Sequence, residues 1–146
     1  MKILLKEVLN FMKFSRRILG CYDLFLAIGA IYNGIKMVSG SFWNGEFPDI
    51  WLGRVPFTSW LLPGVIAIVL YGVGNLIAAY FSFSKKSKGW ILSGIMGIVF
   101  LVSLLISIVI LGDMYLAIVI FIILALMQIL ITAIIGINDL TQRKNR

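Results

Sequence analysis

The chain has 146 residues, 61% of them hydrophobic and 13% charged, with a mean hydropathy of +1.05 and a formal net charge of +7. A soluble domain is about half apolar and a quarter charged, so this composition excludes one and points to a multi-pass membrane protein. With no histidine and a single cysteine, Cys21, the chain cannot form an intrachain disulfide, a CxxC redox pair or a Cys/His zinc site. No metal ion or cofactor is expected.

The positive charge is clustered. Eleven of the thirteen Lys and Arg residues fall in three groups: Lys2, Lys6, Lys13, Arg16 and Arg17; Lys85, Lys86 and Lys88; Arg143, Lys144 and Arg146. Long apolar runs separate them. A nucleic-acid footprint needs bases gathered on one folded face, whereas these sit at the ends of hydrophobic segments. Orientation in a bilayer and contact with anionic lipid headgroups at the inner face explain them better, and no nucleic acid is expected as a partner.

Residues 1–17 come first. At about 100° per residue, Leu4, Leu5, Val8, Leu9, Phe11 and Met12 share one face and Lys2, Lys6, Lys13 and Arg17 the other, the pattern of an amphipathic helix lying in the headgroup plane. The alternative is an extension that continues the first span.

A hydrocarbon core of ~30 Å needs roughly 20 helical residues. Four stretches meet that length, at 18–38, 59–83, 89–111 and 115–137. Backbone polar groups in hydrocarbon must be satisfied within the segment, so each is a helix. The expected fold class is an all-α membrane protein in one domain, an antiparallel bundle of four transmembrane helices with the N-terminal interfacial helix attached. The first span begins like a signal peptide but lacks a small-x-small cleavage site, and is read as uncleaved.

The first connection, 39–58, is long and carries Phe42, Trp43, Phe47, Trp51 and Phe57 with Pro48 and Pro56. It reads as an aromatic cover over the outer helix ends, with a ligand lid as the alternative. The other connections are short, so the last three helices are sequential neighbours. The positive-inside rule puts the N-terminus, the Lys85/Lys86/Lys88 loop and the tail 138–146 in the cytoplasm. So strong an asymmetry argues against a dual-topology dimer.

Two small-residue rows, Gly74/Ala78/Ser82 and Gly89/Ser93/Gly97, are spaced to let the second and third helices approach closely. A homodimer seam is the alternative use of the same rows.

Polar side chains at depth are costly and mark the place to look for function. The candidates are Asp23, Asn33, Lys36, Asn75 and Gln128. Asn75 and Gln128 each lie about 14 residues into helices that run the same way, so at ~1.5 Å per residue they reach one depth. A hydrogen bond between them would be worth ~0.6 to 2 kcal/mol. Asp23 is expected to reach the inner headgroups or to pair with Arg16, Arg17 or Lys88. Lys36 is expected to snorkel, and Asn138 and Asp139 to be solvated at the inner exit of the last helix.

The run PFTSWLLPG from Pro56 to Gly64, followed by YGVGNL at 71–76 and the Ala78/Ala79 pair, resembles a group of small bacterial four-helix integral membrane proteins. Where that group carries a Trp and a Gln in its third helix, this chain has Ser103 and Ser107. The resemblance implies a four-helix fold and a bacterial origin, and no activity. On the residues themselves, Thr58 or Ser59 is expected to cap the second helix, Pro63 to sit in its early turns, and Gly64 to admit a neighbour such as the outer loop.

No nucleophile with its base, paired carboxylates or metal cluster can be assembled within the membrane, so no enzyme is expected. The leading expectation is a noncatalytic protein of a bacterial cytoplasmic membrane, acting through protein or lipid contacts in an accessory, immunity or envelope-stress role. The alternative is a small transporter or channel using Asp23, Asn75 and Gln128 as a polar path. A lipid-modifying enzyme using the outer loop is the third class weighed.

Overall fold

The structure, a computed structural model, describes residues 1–84 and 88–144, apart from the side chain of Trp43. Lys85, Lys86 and Arg146, named above for their charge, lie outside these residues. The described chain is helical and forms no strand, only an isolated bridge between Leu52 and Val55. Four helices carry the fold: α1 (Lys2–Val38), α2 (Leu61–Phe83), α3 (Gly89–Leu111) and α4 (Leu116–Lys144). Each is long and apolar enough to cross a membrane, which makes this a multi-pass membrane architecture. Phe25, Val69, Ile98, Val109 and Ile123 face outward, exposed, where hydrocarbon would replace water.

The boundary expected between residues 17 and 18 is absent, because one unbroken helix of 37 residues carries both the basic stretch and the first span. The physical reason is local. No Gly or Pro occurs before Gly20, so nothing interrupts the hydrogen-bond ladder through Ser15, Arg16 and Arg17. α4 likewise continues past the expected end at 137 through most of the tail.

α1 ends where Gly40 takes a left-handed conformation (φ +71°) and the Ser41 N–H returns to the Lys36 carbonyl at 2.9 Å. α3 ends in the same way at Gly112, also at φ +71°. α2 begins at Leu61 with Trp60 as its cap residue and no side-chain capping bond, so neither Thr58 nor Ser59 caps it. Its middle, Ala67–Val73, is a π-helical stretch. Such stretches are rare and recur at functional sites.

The helices pack as a ring, with α1 against α2 and α4 and with α3 against the same two. Contacts along each pair run in reverse chain order. Gly34 meets Gly64 and Ile68, Gly72 meets Ile31, and Gly20 meets Phe83. Between α3 and α4, Gly94 meets Thr132, Gly97 meets Ile129, and Gly136 lies under Trp90. The neighbour that Gly64 admits is therefore α1, at Gly34, Met37 and Val38, and not the outer loop.

The 39–58 connection folds through two short 3-10 turns, Phe42–Gly45 and Asp49–Trp51, over the ends of the helices. Trp51, Trp60 and Leu111 form a buried apolar cluster joined by Met37, Phe42, Phe47, Val55 and Tyr115. Edge-to-face rings hold it, with Trp51 and Trp60 centroids 5.6 Å apart and Phe47 5.1 Å from Trp60. The polar edges are satisfied too. Trp51 Nε1 donates to Tyr115 Oη at 3.1 Å, Trp60 Nε1 to the Glu46 carbonyl at 2.8 Å, and Arg54 Nη1 to the Leu111 carbonyl at 2.7 Å.

Candidate functional site

Each of the four helices contributes polar side chains to one buried centre. α1 supplies Asp23. α2 supplies Asn75 and Ser82, seven residues apart and so two turns along one face. α3 supplies Ser93, and α4 supplies Gln128 and Thr132 at i and i+4. Asp23, Ser93 and Gln128 have no exposed surface, and Asn75, Ser82 and Thr132 are buried.

Asp23 is the hub. Its Oδ1 accepts from Ser93 Oγ at 2.7 Å and from Gln128 Nε2 at 2.8 Å, and its Oδ2 accepts from Ser82 Oγ at 3.4 Å. Gln128 Nε2 also donates to Asn75 Oδ1 at 2.8 Å, and lies 3.5 Å from Ser93 Oγ. Thr132 Oγ1 approaches Ser93 Oγ at 3.5 Å. The Asn75 Nδ2 group donates to the Tyr71 carbonyl inside the π-helical stretch, so its Oδ1 faces Gln128.

Asn75 and Gln128 are thus brought together directly, at the shared depth read from their positions. Asp23 joins them instead of reaching the headgroups or pairing with Arg16, Arg17 or Lys88. Arg16 is engaged elsewhere: its Nη2 donates to Asp139 Oδ1 at 3.0 Å, and Arg143 approaches Asp139 Oδ2 at 3.2 Å. Asp139 is correspondingly buried rather than solvated, because α4 stays helical and holds it against α1. Asn33 Nδ2 is satisfied within its own helix by the Gly29 carbonyl, and the Lys36 ammonium sits 4.8 Å over the Tyr32 ring.

The small-residue rows divide their work. A Cβ on Gly89 would lie 2.7 Å from the Phe81 backbone and one on Gly74 2.6 Å from Met96, so these positions bring α2 and α3 together around buried Ala78. Gly97 faces α4, at Ile129 and Gln128. Ser82 and Ser93, which sequence reasoning assigned to packing, turn out to donate to Asp23. The seven-residue spacing of Ser82 from Asn75 was the available signal; Ser93 had none, and which way α1 faces was not encoded in the spacing.

One atom of the centre has no partner. Gln128 Oε1 is buried and unbonded, on the side toward Gly97. Among the described residues no three His, Cys, Asp or Glu side chains converge, so the oxygens around Asp23 are neutral ones. Among the described residues no Lys or Arg pairs with Asp23, so this buried carboxylate, held by neutral donors, carries one net charge when ionised.

Comparison with protein-family models, with curated proteins and with solved structures finds no match. Function has to be read from the residues themselves.

Proposed function

We propose that the chain is a noncatalytic multi-pass protein of a bacterial cytoplasmic membrane, an antiparallel four-helix bundle with both termini inside, and that it acts through contact with a membrane-protein partner. The observation that carries this reading is the reach of α1. At ~1.5 Å per residue its 37 residues extend about 55 Å, against a hydrocarbon core of ~30 Å. Its first turns form an amphipathic arm at the inner face, with Leu4, Leu5, Val8 and Phe11 exposed on one side. Lys2, Lys6, Lys13 and Arg17 occupy the other, within reach of anionic headgroups, and the exposed apolar stripe is the surface a partner helix would cover. An accessory, immunity or envelope-stress component would use such an arm. The bacterial setting rests on the resemblance read at PFTSWLLPG alone.

Reporter fusions at Trp51 and Lys86 test the orientation and should place them outside and inside, respectively. Photocrosslinking from Phe11 in native membranes tests the role. One membrane protein captured reproducibly supports it, and capture of lipid alone overturns it.

A second reading, a small transporter or channel, is favoured by one observation: Asp23 is fully buried, with no basic partner among the described residues. If Asp23→Asn and Gln128→Leu insert normally and leave every tested cation flux unchanged, that reading is rejected.

A further inference from the structure

We propose that the Asp23 centre is a binding site for a small monovalent cation of the sodium type, with Gln128 as its switch. The geometry is that of a cluster of oxygens closed by an amide nitrogen, whose N–H groups bring the partial positive charge that an ion would bring. Gln128 Nε2 has three oxygens around it: Asp23 Oδ1 at 2.8 Å, Asn75 Oδ1 at 2.8 Å and Ser93 Oγ at 3.5 Å. An amide nitrogen carries two hydrogens, so this surround is richer in acceptors than the group can fully satisfy.

The same side chain holds its Oε1 buried without a partner. Such an atom in a fully buried residue is an unmet cost within the bundle. Rotation of the amide exchanges the two ends, turning Oε1 toward Asp23 and Asn75, where oxygens would repel one another unless a cation lay among them. Loading the site would therefore give Oε1 a partner and bring Asp23 a positive charge that no described residue supplies, while the amide N–H groups turn to the side toward Gly97. Ser82 and Thr132, already beside Asp23 and Ser93, supply further oxygens.

Charge decides the class of ion. Asp23 is the single carboxylate of the centre, and the facing groups are all neutral: Asn75 and Ser82 on α2, Ser93 on α3, Gln128 and Thr132 on α4. A monovalent ion leaves the loaded centre neutral, whereas a divalent ion would leave an uncompensated charge in the bundle core. Hard oxygen ligands suit an alkali cation rather than a soft metal. Asn75 is a positioning residue here, since its bond to the Tyr71 carbonyl presents Oδ1 to the centre.

This site does not depend on the partner contact proposed above, because binding would be read on the purified chain. The full-length protein in nanodiscs is melted in sodium, lithium, potassium or choline chloride at equal ionic strength and fixed pH. The expected result is a saturable upshift of about 4 °C or more in sodium or lithium over choline. Asp23→Asn should abolish the upshift. Gln128→Leu, which keeps the bundle apolar where Asp23→Asn fails to fold, should abolish it as well. Identical melting in all four salts overturns the proposal, as does a cation response that survives both substitutions. Sensitivity to pH alone, with no difference among cations, also overturns it and leaves a proton as the only occupant.

Discussion

Gly34 and Gly64 are each other's wall. A Cβ on Gly34 would lie 2.8 Å from the Gly64 carbonyl oxygen, and one on Gly64 would lie 2.9 Å from the Gly34 carbonyl oxygen. α1 and α2 touch backbone to backbone there, beside the start of the π-helical stretch. Hydrocarbon gives helices no hydrophobic reason to associate, so close backbone approach is a main source of adhesion.

Gly34→Ala and Gly64→Ala should each cost ~1 to 3 kcal/mol, because the added methyl meets backbone that cannot yield. Gly29 is the control: nothing lies within 4 Å of a Cβ built on it, and it belongs to the same helix. Gly29→Ala should be neutral or stabilising by up to ~1 kcal/mol. Unfolding in detergent micelles measures all three, and equal losses at Gly29 and Gly34 would count against the crossing.

Ser93→Ala removes the shortest bond to Asp23. A hydrogen bond to a charged group is worth ~1.5 to 3 kcal/mol, and the loss should fall in that range if Asp23 is ionised. Ser107→Ala, whose hydroxyl donates only to the Ser103 carbonyl one turn back, should change stability by less than ~0.5 kcal/mol. Thermal melts of the two variants side by side make the comparison.

The Asp139 carboxylate has two unequal partners. Arg16 is 24% exposed and reaches across from α1, while Arg143 is 56% exposed and one turn away on α4. Double-mutant cycles should give a coupling above ~1 kcal/mol for Arg16 with Asp139 and ~0.3 to 0.5 kcal/mol for Arg143 with Asp139. Raising the salt concentration should weaken the second pair more than the first. The reverse order would mean that Asp139 does not tie α1 to α4.

At the end of the bundle that the 39–58 connection covers, Arg54→Met should release the last turn of α3. The Leu111 carbonyl would lose its 2.7 Å donor, a loss of ~1 to 2 kcal/mol for an orphaned helix-end acceptor. Hydrogen exchange at 108–112 should speed up, with the amides near Ser93 unaffected. Uniform acceleration along α3 would show that Arg54 acts on the whole bundle instead.

Much of the helix plan was legible along the chain. Span positions follow from length and apolarity because lipid cannot satisfy a bare backbone, and the common depth of Asn75 and Gln128 follows from helical rise. Helix ends were less legible. Nothing in the run from Phe14 to Leu19 breaks a helix, yet charge suggested a boundary there. Asn138 and Asp139 likewise looked like the start of a solvated tail, and α4 carries them on.

What the sequence by itself determined is therefore one-dimensional: which residues lie in helices long enough to span, and how far along each helix a polar group sits. Only the tertiary structure decided azimuth, the rotation of each helix about its own axis. That rotation turns Asp23 inward to Ser93 and Gln128, commits Arg16 to Asp139 and makes hydrogen-bond donors to Asp23 of two serines that read as packing. The physical reason is that rise per residue is fixed by the backbone, whereas rotation is settled by side chains on all four helices packing at once.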